Sequence, residues 1–417
     1  LDDAARENIQ KIIQEAAATR DDDNARKVGD FYQSYMDEER VEAAGITPLK
    51  EDLVAIAGLQ TIDDVVQHFG TVQVYGVDAP IAFFVSTDPK NSERYLAAIV
   101  HSGTTLPDRD YYLGYEQKYF EARAAFKVYV TRLFELAGLE DGALAAEQIL
   151  TLETRLADAQ WSRTELRDAE KRYNLFQTKD LSTLADSIPF SAFFDAVQAP
   201  ALVEVNVLTP SYFPRLQSIL QETPVTVWQQ YLRFHLLDSA AGGLSKDFVD
   251  AAFEFHGRQI SGVPEQKPRW KRAVDATAGS GAGSFGVLGE AVGQLYVKKH
   301  FPEVAKHRMD ELVGNLMQAY ESSIQNLTWM TDETKQRALE KLHKITPKIG
   351  YPEKWRDYST LEIDPHDLAG NLRRATLFEH KRMVDRLGQP VDRLEWGMTP
   401  QTVNAYYNPS KNEIVFP

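Results

Sequence analysis

Val403-Asn404-Ala405-Tyr406-Tyr407-Asn408-Pro409-Ser410-Lys411-Asn412-Glu413-Ile414-Val415-Phe416-Pro417 is the stretch on which the fold turns. Residues 403–407 and 413–416 are rich in β-branched and aromatic side chains, and residues 408–412 between them are mostly turn formers. That pattern predicts a β-hairpin. The second strand stops at Pro417 with no partner segment following, so more of the same lobe is expected beyond this residue. Upstream the helical period dominates, and helices followed by strands point to an α+β arrangement or a separate lobe. The expected fold is mainly α: a large multi-helix lobe with short β-hairpins over residues 1–395, then the opening of a second lobe at 396–417.

The helical signal is explicit. Ala5, Ile9, Ile12, Ile13 and Ala16 fall on one stripe, and Val28, Phe31, Tyr32 and Tyr35 on a second, with Asp21-Asp22-Asp23-Asn24 between them, so the chain opens as a helical hairpin. Met309, Leu312, Val313, Leu316, Met317, Tyr320 and Ile324 keep the same spacing, and a stripe of that length needs a partner to cover it. Thr331 before Asp332 and Glu333 caps a further helix that runs to Pro347. Val72 to Tyr75 and Ile81 to Val85, separated by Gly, Asp and Pro, predict one small hairpin. Residues 262–286 and 350–365, rich in turn formers, are the expected flexible connections. No repeat at a fixed period suggests a solenoid.

Composition excludes several classes. The chain has 417 residues, 61 acidic against 46 basic, a formal charge of −15 and no cysteine. Such a surface repels phosphate backbones, so nucleic acid is not an expected partner. Disulfides, thiolate ligands and cysteine nucleophiles are absent, and a metal would need His, Asp or Glu. No apolar run approaches the length of a membrane helix.

Most candidate chemistry is weak. Gly281-Ala282-Gly283-Ser284-Phe285-Gly286 fits G-x-G-x-x-G, but the polar, small residues 271–280 before it are not the buried strand a dinucleotide site needs, so a flexible loop is expected. The nine histidines include no H-E-x-x-H; His300, His307, His366 and His380 are expected at the surface. There is no G-x-S-x-G elbow, and the acidic runs at Asp21–Asp23 and Asp63-Asp64 fit helix caps. Leu106-Pro107-Asp108-Arg109-Asp110-Tyr111-Tyr112-Leu113-Gly114 suggests a charged turn pinned by buried rings. Asn404-Ala405-Tyr406-Tyr407 is either a buried strand or an edge strand able to accept an extended peptide. In the second case Ala405 permits close approach and Asn404 offers both a donor and an acceptor.

Taken together, residues 403–407 and 412–417, Leu106 to Tyr112, Leu288 to Val297, Leu327-Thr328-Trp329-Met330 and Lys348-Ile349-Gly350-Tyr351-Pro352 resemble, in order, landmarks of the neprilysin family of zinc metalloendopeptidases. The family includes endothelin-converting enzymes and bacterial oligopeptidases. The resemblance implies a second lobe of thermolysin-like α+β type, zinc as cofactor on an H-E-x-x-H helix beyond residue 417, and hydrolysis of small peptides inside an enclosed cavity. It implies that Asn404 and Ala405 bind the substrate main chain, with Tyr406 and Tyr407 in the same substrate-binding motif. No catalytic or metal residue is expected in this chain, which should be inactive alone. The implied partners are peptide substrates and the C-terminal catalytic portion of the same protein. The lack of cysteine suits a bacterial-type member, periplasmic or secreted rather than cytoplasmic. A non-catalytic peptide-binding scaffold with a helical cavity is the alternative, and a nucleotide-dependent enzyme using Gly281–Gly286 a weaker one.

Overall fold

Helices Asp2–Thr19 and Asp23–Met36 form where the two apolar stripes require, burying Ile9, Ile12, Ile13 and Ala16 with Val28, Phe31, Tyr32 and Tyr35. Their backbones approach so closely that a Cβ on Gly29 would lie 2.5 Å from Ala17 Cα, so only glycine fits there. The structure, a computed structural model, describes residues 2–281 and 284–417. The chain folds as two units discontinuous in sequence: one holds residues 37–267 and 367–391, the other residues 1–36, 268–366 and 392–417. The division thus falls elsewhere than at 395/396, and the terminal hairpin shares a unit with the first two helices.

The unit of residues 37–267 and 367–391 packs helices around Phe69, Phe126, Phe134, Phe193, Phe213, Trp228 and Phe234, all fully buried. Its four-stranded sheet comprises β1 (Ile81–Asp88), β2 (Asn91–His101), β3 (Leu175–Gln177) and β4 (Glu204–Val207) in the order β1-β2-β4-β3. The expected strand at Val72–Tyr75 is not one, and the hairpin is β1 with β2 instead. Thr61 and Asp64 form a reciprocal capping box that launches a helix through Gln73, and Val65, Val66, Phe69 and Val72 bury its face. The β-branched Val72 and Val74 imitate a strand, but the cap and the helical spacing prevail. Gln73 then closes the outer edge of β1: its amide donates to Ile81 O (2.6 Å) and accepts from Phe83 N (2.8 Å), as a neighbouring strand would.

In the other unit, helices Gly289–His300, Glu303–Asn326 and Asp332–His343 accompany a three-stranded sheet of β5 (Thr346–Ile349), β6 (Tyr406–Asn408) and β7 (Glu413–Phe416). The order is β5-β7-β6, with β7 parallel to β5 and antiparallel to β6. Thr331 caps its helix by accepting from Thr334 N, as expected. Neither expected connection is free chain. Residues 262–286 contain the helix Arg269–Ala278. Within 350–365, Tyr358, Leu361 and Ile363 are buried, the carbonyls of Tyr358 and Ser359 accept from buried Lys27 Nζ (2.6 and 3.3 Å), and Arg356 pairs with buried Glu290. The fold is mainly α with short hairpins.

Candidate functional site

The terminal hairpin forms with its turn at residues 409–412, closed by Asn412 at φ 49°, a value asparagine tolerates. Its first strand starts later than expected: Val403, Asn404 and Ala405 are exposed and unassigned, and β6 begins at Tyr406. β7 fills one side of β6, and among the described residues no strand pairs with the other side. The open edge is that of β6, with Asn404 and Ala405 leading into it. Asn404 N donates to Thr402 O (3.0 Å), and Ala405 N donates to the Asn404 side-chain oxygen (2.8 Å). The Ala405 donor is therefore held by its own neighbour.

Two tyrosines fix the hairpin. Tyr406 is half-buried, its phenol pKa raised chiefly by burial, and its hydroxyl accepts from Gly397 N (2.6 Å). Tyr407 Oη donates to Asn412 Oδ1 across the hairpin (2.9 Å). Below them lies a buried ion pair, Lys348 Nζ to Glu413 Oε2 at 2.7 Å, with Nζ also donating to Glu395 O (2.9 Å). Lys411 Nζ donates to Asp392 O (2.8 Å); burial lowers its pKa, against the pull of Glu413 and Glu395. Gln401, also buried, donates to both Ala278 O (2.9 Å) and Gly289 O (3.0 Å) and ties the approach to β6 onto the helices Arg269–Ala278 and Gly289–His300. Sequence reasoning passed over Gln401, Lys348 and Glu413. Polar residues whose partners lie dozens of positions away carry no periodic or motif signal.

Other candidate chemistry resolves into structure. The Gly281–Gly286 run follows the helix Arg269–Ala278 rather than a strand, so the dinucleotide context is absent; Ala282 and Gly283 lie outside the described residues. His300, His307 and His366 are exposed, but His380, expected at the surface, is buried with Nε2 2.9 Å from Val197 O. Its neighbours in sequence are charged, yet the helical register turns His380 inward. His101 packs on Tyr212, and burial first, then Arg109, lowers its pKa to about 4, so it stays neutral near pH 7. Among the described residues no three His, Asp or Glu side chains converge as a metal site. Of the His–carboxylate pairs, His235–Glu153 and His256–Asp238 sit inside their own networks, and His343–Glu321 is a loose contact of 3.7 Å. These residues do not fit zinc.

The Leu106–Gly114 turn is pinned as expected, and its anchor is a polar knot. Glu153, fully buried in the helix Gly142–Ala159, accepts from Thr105 N (2.9 Å) and Thr105 Oγ1 (2.8 Å), contacts His235 Nε2 (3.0 Å), and bonds Tyr112 Oη. Tyr112 Oη in turn accepts from Leu106 N (2.8 Å). Burial, then the Glu153 charge, raises the Tyr112 pKa, keeping its proton on the hydroxyl. Thr105, Tyr112 and Leu106 direct their donors to Glu153 and to one another, and the knot is a structural anchor.

Residues 1–352 match the family model described as Peptidase family M13. Neprilysin-3 of Drosophila melanogaster is 28% identical over 98% of this chain and 55% of its own length, and mouse endothelin-converting enzyme 1 is 30% identical over 98% and 55%. The chain thus spans about half the length of these curated relatives. The crystal structure of Mycobacterium tuberculosis zinc metalloprotease Zmp1 in complex with inhibitor superposes with a TM-score of 0.92 at 40% identity, covering 100% of this chain and 62% of that one.

Proposed function

This chain belongs to peptidase family M13, and on that premise we propose that it provides the substrate-aligning part of a zinc-dependent endopeptidase acting on small peptides. The observation that carries the reading is the open edge of β6 with exposed Asn404 and Ala405 ahead of it. An extended peptide can add there as a further strand, gaining main-chain hydrogen bonds whatever its side chains. Ala405 presents only a methyl group to the incoming backbone. Asn404 offers an amide donor and acceptor in one side chain, and its oxygen, which rests on Ala405 N, is released as a substrate carbonyl takes that donor. Tyr406 and Tyr407, members of the same motif, hold the strand through Gly397 and Asn412. Small peptides are the proposed substrates because only an unfolded segment can pair with a three-residue edge.

The residues described here do not fit zinc, so its ligands in the complete protein are proposed to lie in the catalytic portion that the longer relatives carry, and this chain alone is proposed to be inactive. Its lack of cysteine and its likeness to the mycobacterial protease support a bacterial-type member. Asn404→Ala in the complete protein should lower kcat/KM for peptide cleavage about tenfold, the cost of one or two substrate hydrogen bonds. Steady-state kinetics with a fluorogenic peptide checks this, and an unchanged kcat/KM removes Asn404 from the site. Peptide binding without cleavage by the complete, zinc-supplied protein would favour the scaffold reading.

A further inference from the structure

Arg109 is half-buried, and its Nε is shut off from solvent without a hydrogen-bond partner. Among the described residues its guanidinium makes no ion pair, in a chain with 61 acidic residues against 46 basic. Other half-buried arginines of the same unit are occupied: Arg123 donates to the carbonyls of Tyr111, Tyr112 and Gly114, and Arg373 pairs with Asp52. His101 stands in the field of Arg109, which after burial lowers its pKa, and His101 Nε2 is likewise buried without a partner. Both residues follow from the carboxyl ends of the parallel strands β2 and β4, the side of a sheet where ligands are commonly held. His101 closes β2, donates its N–H to Thr209 Oγ1 (3.2 Å) and lies on the Tyr212 ring; Arg109 opens the short helix Arg109–Leu113 that comes next. Arg163 ties the following loop alongside, pairing with Asp108 (3.1 Å) and donating to Pro107 O (3.2 Å). The nearby carboxylates are already engaged. Asp108 is held by Arg163, and Glu165 accepts from Ser162 N (2.9 Å) and Ser162 Oγ (2.8 Å), bonds that lower its pKa ahead of Lys171 and Arg109. Lys171, exposed, adds a second cation.

Burying a polar atom without a partner costs free energy, so native proteins leave few such atoms, and two of them beside an unpaired guanidinium mark a place where a ligand supplies the partner. We propose that Arg109 and His101 form a binding site for a small oxyanion, a phosphate or a carboxylate. The guanidinium fork matches two oxygens of either group. The imidazole gives or accepts one further bond according to its tautomer. The site belongs to the unit of residues 37–267 and 367–391, whereas β6 belongs to the other, so the inference stands apart from the peptide-binding edge.

Calorimetric titration of the complete protein, zinc removed so that no anion binds at the metal, with sodium phosphate and with sodium acetate at fixed ionic strength tests the site. At least one of the two anions should bind at one per chain, and Arg109→Gln should weaken that binding by about tenfold or more. Arg109→Lys, which keeps the charge and loses the fork, should fall between the two. In protein labelled with 15N at histidine, the His101 ring signals should shift along the same titration, a readout that requires no variant to fold. Binding of phosphate alone assigns a phosphate ligand and binding of acetate alone a carboxylate, and either upholds the site. No binding of either anion, equal binding by Arg109→Gln, or saturation that leaves the His101 signals unmoved overturns it.

Discussion

Glu153→Ala is expected to destabilise the unit of residues 37–267 and 367–391 by about 3–5 kcal/mol, the range for removing one partner from a buried charged network. The carboxylate holds Thr105 N, Thr105 Oγ1, Tyr112 Oη and His235 Nε2 at once. Its loss leaves those groups buried without an acceptor, and the methyl of alanine fills little of the vacated volume. The segment from Thr105 to Tyr112 should loosen first, because Tyr112 holds Leu106 N only while its own proton has a place to go. Denaturant unfolding should show a lowered midpoint with an unchanged slope, and hydrogen exchange should quicken at residues 105–113. A loss below about 1 kcal/mol would mean that water enters the knot and substitutes for the carboxylate.

Lys348→Met is expected to cost a comparable 3–5 kcal/mol, roughly, in the unit that carries the hairpin. Lys348 and Glu413 bury their charged ends almost completely, and Glu413 Oε1 has no hydrogen-bond partner of its own. Removing the ammonium strands a carboxylate at the start of β7, and the nearby Lys411 Nζ already donates to Asp392 O. Methionine keeps the length of the lysine stem, so the effect measures charge rather than packing. Adding Glu413→Leu should recover most of the loss, because replacing both members of a buried pair by apolar groups is often neutral. A double-mutant cycle read by thermal or chemical unfolding checks this. Independent, additive losses would show that the two residues do not act as a pair.

Much of the fold could be read from residue spacing, because burial periodicity is a local property. Ile9 to Ala16, Val28 to Tyr35 and the Thr331 cap all lie where their pattern placed them. The errors came where one local preference opposed another. Val72 to Tyr75 has strand-forming side chains at the end of a helix that starts at the Thr61 cap and runs to Gln73, and His380 sits among charges yet faces inward. The residues 350–365 have a loop's composition but are tied down by Lys27, more than 300 positions away. The same limit applies to the candidate site. Asn404 and Ala405 stood out because a strand with a turn after it is a local signal. Its third strand β5, its buried Lys348–Glu413 pair and its Gln401 tether depend on contacts between distant segments, which no short window contains.

Hydrogen exchange at residues 403–408 of the complete protein, zinc removed to prevent turnover, with and without a saturating extended peptide, tests the edge-strand account most directly. Strand addition predicts that amides leading into and along β6 slow by about tenfold or more when peptide binds, as main-chain bonds close over them. Tight peptide binding that leaves exchange across this segment unchanged would contradict the account.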